Sequence, residues 1–150
     1  MILPNFKVFK PQGRLLGIDW GACRTGVAVS DASRDFVFVR PSIVTNKNDR
    51  DTLINRIIEI INSENISGVV IGLPLRTDGS DSETTKMVRE FANVLAGKID
   101  LPMIFIDETL SSMSAQEQMG RVNRSDIKEN LDSNSARVIL ENAIALIKRN

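Results

Sequence analysis

Three apolar runs, Leu15 to Trp20, Thr25 to Asp31 and Phe36 to Val44, lie close together near the start of the chain. Only Gly21-Ala22-Cys23-Arg24 and Ala32-Ser33-Arg34-Asp35 separate them. The second run alternates through Val27 and Val29 and the third is rich in Phe and Val, as strands are. Connectors this short cannot carry a crossover, so the three strands must form an antiparallel meander.

The period then changes. Leu53, Ile54, Ile57, Ile58 and Ile61 fall on one face of a helix between Asp49 and Ser63. Gly68 to Leu73 (GVVIGL), ended by Pro74, reads as a buried fourth strand. Ser80 and Glu83 have capping-box spacing ahead of a second helix carried by Met87, Val88, Phe91, Ala92 and Leu95, with Gly97 as its stop. Pro102 to Asp107 (PMIFID) is the fifth strand. A short helix from Ser111 or Ser112 to near Gly120, a basic mobile loop from Arg121 to Asn130, and a last helix through Ala136, Ile139, Leu140, Ala143, Ile144 and Ile147 complete the chain. Strand-helix-strand links imply parallel pairing. The expected fold is one α/β domain over residues 1–150, with a mixed five-stranded sheet flanked by helices. Strands one to three are antiparallel and strands four and five parallel, strand one is central, and the lead-in before Leu15 is loosely held.

Within that central strand, Asp19 interrupts an otherwise aliphatic run, LLGIDW. A carboxylate there is costly unless a partner or a metal neutralises it. The chain has no histidine and one cysteine. That excludes an internal disulfide, a Cys/His zinc site and a histidine base. Any metal must be a hard cation on carboxylates. The candidates are Asp19, Asp107-Glu108 at the end of strand five, and Asp132 before the last helix. Each has a plainer reading: a structural aspartate at 19, surface charges at 107 and 108, and a helix N-cap at 132. Together they form a minimal set for Mg²⁺ (or Mn²⁺). Two such ions about 4 Å apart activate a water and stabilise the leaving oxygen of a phosphodiester.

Net charge is zero and the pI about 6.3, so any nucleic-acid surface must be a local patch. Arg24 in the first hairpin, Arg76 in the loop LPLRTDGSDS, and Arg121, Arg124 and Lys128 before Asp132 are candidates, with solvated faces as the alternative. The loop around Arg76 ends at a helix N-terminus, where amides favour an anion, with Lys86 and Arg89 beyond it. Gly17, Gly21 and Gly26 around Asp19 are assigned to tight turning and close packing rather than to phosphate approach. Aromatic residues make up 5% of the chain and tyrosine is absent, which favours backbone and shape recognition over base stacking. The N-terminus lacks the pattern of a signal peptide and no apolar stretch is long enough to span a bilayer. A cytoplasmic protein without membrane association is expected.

The segments LLGIDWGACRTGVAVSD, VVIGLPLRTDGSDSETTKMVREFANVL, IDETLSSMSAQ and LDSNSARVIL, in this order, resemble the YqgF/RuvX family over about Leu15 to Ile147. The resemblance implies a ribonuclease-H-like fold and a cytosolic nuclease of pre-16S rRNA processing or Holliday junction resolution. It implies Asp19, Glu108 and Asp132 as the acidic set, with Asp107 the competitor of Glu108. It also implies phosphate contact by Arg24, which fits the pattern R-x-G-x-A-x-S-D, and Arg76 and Arg124 join it as expected substrate contacts. Two departures stand out. Trp20 replaces the usual Tyr, and Thr109 replaces an Arg that would give a fixed partner to phosphate or to Glu108. The Thr109 change leaves a non-catalytic RNA- or junction-binding module as the alternative. A phosphotransferase of the sugar-kinase and actin type is a third class, for which the chain is short. The expected partner is structured nucleic acid, pre-rRNA or branched DNA, bound by a monomer or homodimer; cutting a junction calls for a two-fold dimer.

Overall fold

The computed structural model describes residues 1–47, 49–108 and 124–149, with positions 124–133 described by their backbone alone. The elements are β1 (Ile2–Leu3), β2 (Arg14–Asp19), β3 (Arg24–Ser30), β4 (Val37–Val44), α1 (Arg50–Ser63), β5 (Ile66–Leu73), α2 (Glu83–Ala96), β6 (Met103–Asp107) and α3 (Arg124–Arg149). They build a mixed sheet in the order β1-β6-β5-β2-β3-β4. β2, β3 and β4 pair antiparallel, while β2-β5, β5-β6 and β1-β6 pair parallel. The strand carrying Asp19 is therefore central, as its aliphatic run requires.

Burial on both faces explains why β2, β3 and β5 read as near-continuous apolar runs. On one face, α1 and α2 press Leu53, Ile54, Ile57, Val88, Phe91 and Leu95 onto Leu16, Ile18, Val27, Val69 and Ile71. On the other, α3 lays Ala136, Ile139, Leu140 and Ala143 over Leu15, Ala28, Val70, Ile104 and Ile106. The Asp49 side chain caps α1 by accepting from the Thr52 amide at 3.3 Å. At the far end of α1, Glu64 Oε1 accepts from Arg40 Nη2 at 2.6 Å and from Arg14 Nη2 at 3.3 Å, tying the helix to β2 and β4. The Arg40 guanidinium, with Arg14 behind it, holds the Glu64 carboxyl below the usual glutamate range.

Three local expectations are corrected. The lead-in is not loose: β1 adds a sixth strand through Ile2↔Met103 and Leu3↔Ile104, and Phe9 is fully buried. Arg34 clamps this segment by donating to the carbonyls of Gly13, at 3.0 Å, and Pro11. A two-residue strand has no period to betray it; the outer edge of β6 recruits it. Next, the capping box of α2 is Ser82 with Thr85, not Ser80 with Glu83. Ser82 Oγ accepts from the Thr85 amide at 3.2 Å, and the Ser82 amide donates to Thr85 Oγ1 at 2.9 Å. Ser80 is engaged by Asp78 instead, through its amide at 2.9 Å and its hydroxyl at 2.6 Å.

Third, α3 starts at Arg124, so the backbone from 124 to 130 is helical rather than a loop, and Asp132 lies inside the helix rather than capping it. No Gly or Pro between Arg124 and Ser135 stops a helix, and the polarity of that stretch had read as a loop. The expected short helix between Ser111 and Gly120, Arg121 and Thr109 lie outside the described residues.

Candidate active site at the ends of the parallel strands

Strand alternation decides which side chains can meet. Along β2, Leu15 belongs to the α3 side of the sheet and Leu16 and Ile18 to the other. Gly17 therefore faces α3: a Cβ there would stand 2.9 Å from Leu140 Cβ and 3.0 Å from the Ala136 carbonyl oxygen. Asp19, two residues on, ends the strand on that same face, half-buried. Gly26 of β3 stands opposite it in register.

On β6, Ile104 and Ile106 face α3 and Asp107 the other side, while Glu108, the residue after the strand, lies on the α3 side beside Gly72. Between β2 and β6 runs β5, whose Gly72 pairs with Ile106. A Cβ on Gly72 would stand 2.5 Å from Ile139 Cδ1 and 3.5 Å from Glu108 Cδ. Ile139 of α3 therefore packs directly over Gly72, and Glu108 borders the same glycine, which lies between two carboxylate positions two strand spacings, roughly 10 Å, apart. The sequence reading did not single out Gly72. Its signal was a glycine in an otherwise aliphatic, doubly buried strand, two residues before Pro74.

The direction of α3 places the backbone of position 132. Lys148, near its C-terminus, pairs with Asp35 in the β3–β4 turn at 3.8 Å, and Ile147 lies beside Phe6 and Phe9. Both contacts are at the end of the sheet remote from Asp19. The N-terminal part of α3 therefore runs toward Asp19. Position 132 is one helical turn, roughly 6 Å, before Ala136. Asp19 is a similar step, roughly 6.5 Å, beyond Gly17, which Ala136 covers. Among the described residues no three carboxylate or cysteine side chains form a metal-holding group; the side chain of Asp132 lies outside those residues.

The basic candidates divide. Arg24 opens β3 on the exposed tip of the β2–β3 hairpin, beside Asp19. Arg76 is exposed in the loop after β5, where its amide donates to the Ser80 carbonyl at 3.0 Å and Gly79, at φ +86°, closes the turn. Both project at the strand end that carries the acids. Arg124 is the first residue of α3 and its side chain is outside the described residues. Arg89 is committed elsewhere: Nε and Nη2 donate to Asp81 at 2.9 and 3.2 Å, and its guanidinium lies 5.7 Å over Phe105. Lys86 is a solvated partner of Glu83 at 3.7 Å. The start of α2 offers less to an anion than its loop suggested, because the capping box already occupies the Thr85 amide.

An antiparallel meander extended by parallel strands, with helices on both faces and acids at one end of the central strands, defines a ribonuclease-H-like α/β protein. The solved structure of Thermus thermophilus RuvC in complex with a Holliday junction substrate has this fold, with a TM-score of 0.58 at 13% identity over 91% of this chain and 95% of that one. The fowlpox virus resolvase, solved with Holliday junction DNA, matches with a TM-score of 0.51 at 12% identity over 89% and 99%.

The family model described as "RuvX: Holliday junction resolvase" matches residues 13–145, and the chain belongs to this family. A protein of Maridesulfovibrio salexigens named "Putative pre-16S rRNA nuclease" is 41% identical over 134 residues, 88% of this chain and 98% of that protein. One of the same name from Orientia tsutsugamushi is 37% identical over 133 residues, 87% and 83%.

Proposed function

We propose that this protein is a Mg²⁺- (or Mn²⁺-) dependent nuclease of the cytoplasm that hydrolyses phosphodiester bonds in structured precursor rRNA. Asp19, Glu108 and Asp132 are its metal-holding acids. The observation that carries the reading is the placement of two acids: Asp19 ends β2 and Glu108 directly follows β6, with Gly72 of β5 between them and Glu108 bordering it on the α3 side. An all-oxygen donor set of this kind suits a hard dication and no softer metal. When bound, the metal supplies a hydroxide-like water and stabilises charge on the phosphate oxygens.

The chain's own residues do the rest. The carboxylates of Asp19 and Glu108 fix where the scissile phosphate lies. Arg24 and Arg76 offset the charge of flanking phosphates from the hairpin tip and from the loop after β5, and Arg124 extends that track. The names carried by relatives at 37–41% identity favour RNA, whereas the resolvase structures support the fold alone. Among the described residues no helix is long and apolar enough to cross a membrane.

The test is a cleavage assay offering a precursor-like rRNA and a four-way DNA junction, each with Mg²⁺ and with Mn²⁺. Cutting of the RNA that disappears in a folded Asp19→Asn variant is expected. Metal-dependent cutting retained by that variant contradicts the assigned acids, and cutting of the junction alone contradicts the RNA assignment.

A further inference from the structure

A cavity sits on the other side of the sheet from Asp19. Because side chains alternate, Trp20 turns away from the acids and packs against the core formed by α1 and α2. There it forms part of a cleft of about 370 Å³, a volume within the range of sites that take a small organic group. Its inner wall is apolar: Trp20, Leu53, Met87 and Phe91. The rim adds Asp51 and Glu90, with the exposed cations Lys47 and Arg50 beside them. Asp49 also lines the cleft, but its carboxylate is engaged with the Thr52 amide.

We propose that this cleft accepts an unpaired nucleobase of the substrate strand. The inference rests on the nuclease reading above and adds to it a second contact point with RNA. Three features select the occupant. An aromatic ring beside an aliphatic wall suits the flat face of a base. Counting Asp49, three carboxylates line the cleft against two cations, which disfavours a phosphate inside, while Asp51 and Glu90 provide acceptors for the amino groups of cytosine, adenine or guanine. Lys47 and Arg50, being exposed, reach the phosphates on either side of such a base. The path is also short. Gly21 and Ala22 line the cleft and directly follow Asp19-Trp20, so a strand leaving the acids needs only to cross the β2–β3 connector. The paucity of aromatic residues argued against a stacking platform, but one tryptophan in the right place provides one.

Trp20 is the only tryptophan and the chain has no tyrosine, so intrinsic fluorescence reports on this cleft alone. The experiment titrates the wild-type chain, in chelator without divalent ions, with a labelled single-stranded RNA, a blunt RNA duplex, and the free mononucleotides CMP and GMP. Anisotropy of the label reports binding; tryptophan emission reports occupancy of the cleft. Single-stranded RNA is expected to bind and to quench Trp20 at saturation, while the duplex binds without quenching. Trp20→Leu, which keeps apolar volume but loses the ring face, and Glu90→Ala, on the exposed rim, are each expected to weaken single-strand binding roughly tenfold or less, and measurably. Saturation by anisotropy with unchanged Trp20 emission overturns this inference and leaves the nuclease reading intact. Quenching by free mononucleotides but not by single-stranded RNA overturns the assignment to the substrate strand. No binding of any RNA under these conditions overturns this inference, and the metal-dependent cleavage assay above then decides the nuclease reading separately.

Discussion

Replacing Gly72 by Ala tests the close packing of Ile139 against β5. Its backbone conformation is not left-handed, so alanine brings no backbone strain, and the effect must come from the added methyl. That methyl would lie 2.5 Å from Ile139 Cδ1 and 3.2 Å from its Cγ1. Ile139 is fully buried, so it relieves the clash only by changing rotamer or by shifting α3. Overpacking of this sort costs about 1–3 kcal/mol. Alanine returns about 0.4–1 kcal/mol by restricting the unfolded chain. A net loss of about 1–2 kcal/mol follows, a drop in Tm of roughly 2–8 °C for a chain of this length.

The cause can be isolated with a double-mutant cycle. Ile139→Val removes the Cδ1 atom that clashes and alone costs about 1 kcal/mol. In the Gly72→Ala background it makes room for the new methyl, so the double variant is expected to be at least as stable as the Gly72→Ala single variant, an interaction of about 1 kcal/mol or more. Urea unfolding followed by Trp20 emission and by circular dichroism measures all four corners. Strictly additive losses would refute the packing account. Cleavage adds a second readout, because the same methyl approaches Glu108 Cδ at 3.5 Å. At that distance the methyl is in ordinary contact with the carboxylate, so the double variant is expected to recover kcat together with stability.

Three further perturbations probe the frame. Ser82→Ala is expected to cost about 1 kcal/mol and Ser80→Ala under about 0.5, measured by urea unfolding, because only Ser82 caps α2; equal losses would contradict the assigned cap. Phe9→Ala is expected to cost about 3–5 kcal/mol, since the ring is fully buried in the layer under α3; a neutral result would mean that the lead-in adds nothing to the core. Glu64 has its carboxyl lowered from an ordinary value of 4.5, chiefly by the hydrogen bond from Arg40. Its contribution is thus complete above that value and is lost as pH falls through the lower folded value. Glu64→Gln is expected to flatten the acid limb of stability, read as Tm between about pH 5 and pH 3, and an unchanged limb would remove the ion pair from the account.

Much of the fold could be read from the order of its residues, because two signals were strong. The short connectors after Trp20 and Asp31 fixed a meander, and the stripes Leu53–Ile61 and Met87–Leu95 fixed two covering helices. What escaped was held by contacts with no local period. β1 exists because β6 has an open edge, and Ile2 and Leu3 alone could not announce it. The early start of α3 was masked by the polar residues of its first turns, which carry no apolar stripe in the sequence. For the site, the odd charge in LLGIDW marked Asp19. Asp107 and Glu108 differ in the face of the sheet they take, a distinction set by the register of β6 and the packing at Gly72 rather than by composition. The cleft behind Trp20 was invisible because it is a relation between distant elements, and Gly72 showed only as a glycine in an aliphatic strand.

The central claim is that Asp19, Glu108 and Asp132 share one divalent cation site, and Mn²⁺ binding measures it directly. Titration calorimetry or electron paramagnetic resonance on the wild-type chain and on Asp19→Asn, Glu108→Gln and Asp132→Asn reads the site without any substrate. The account expects Mn²⁺ to bind the wild type and each substitution to weaken it at least tenfold while the thermal transition remains cooperative. Undiminished Mn²⁺ binding by folded Asp19→Asn, or by folded Asp132→Asn, would contradict it.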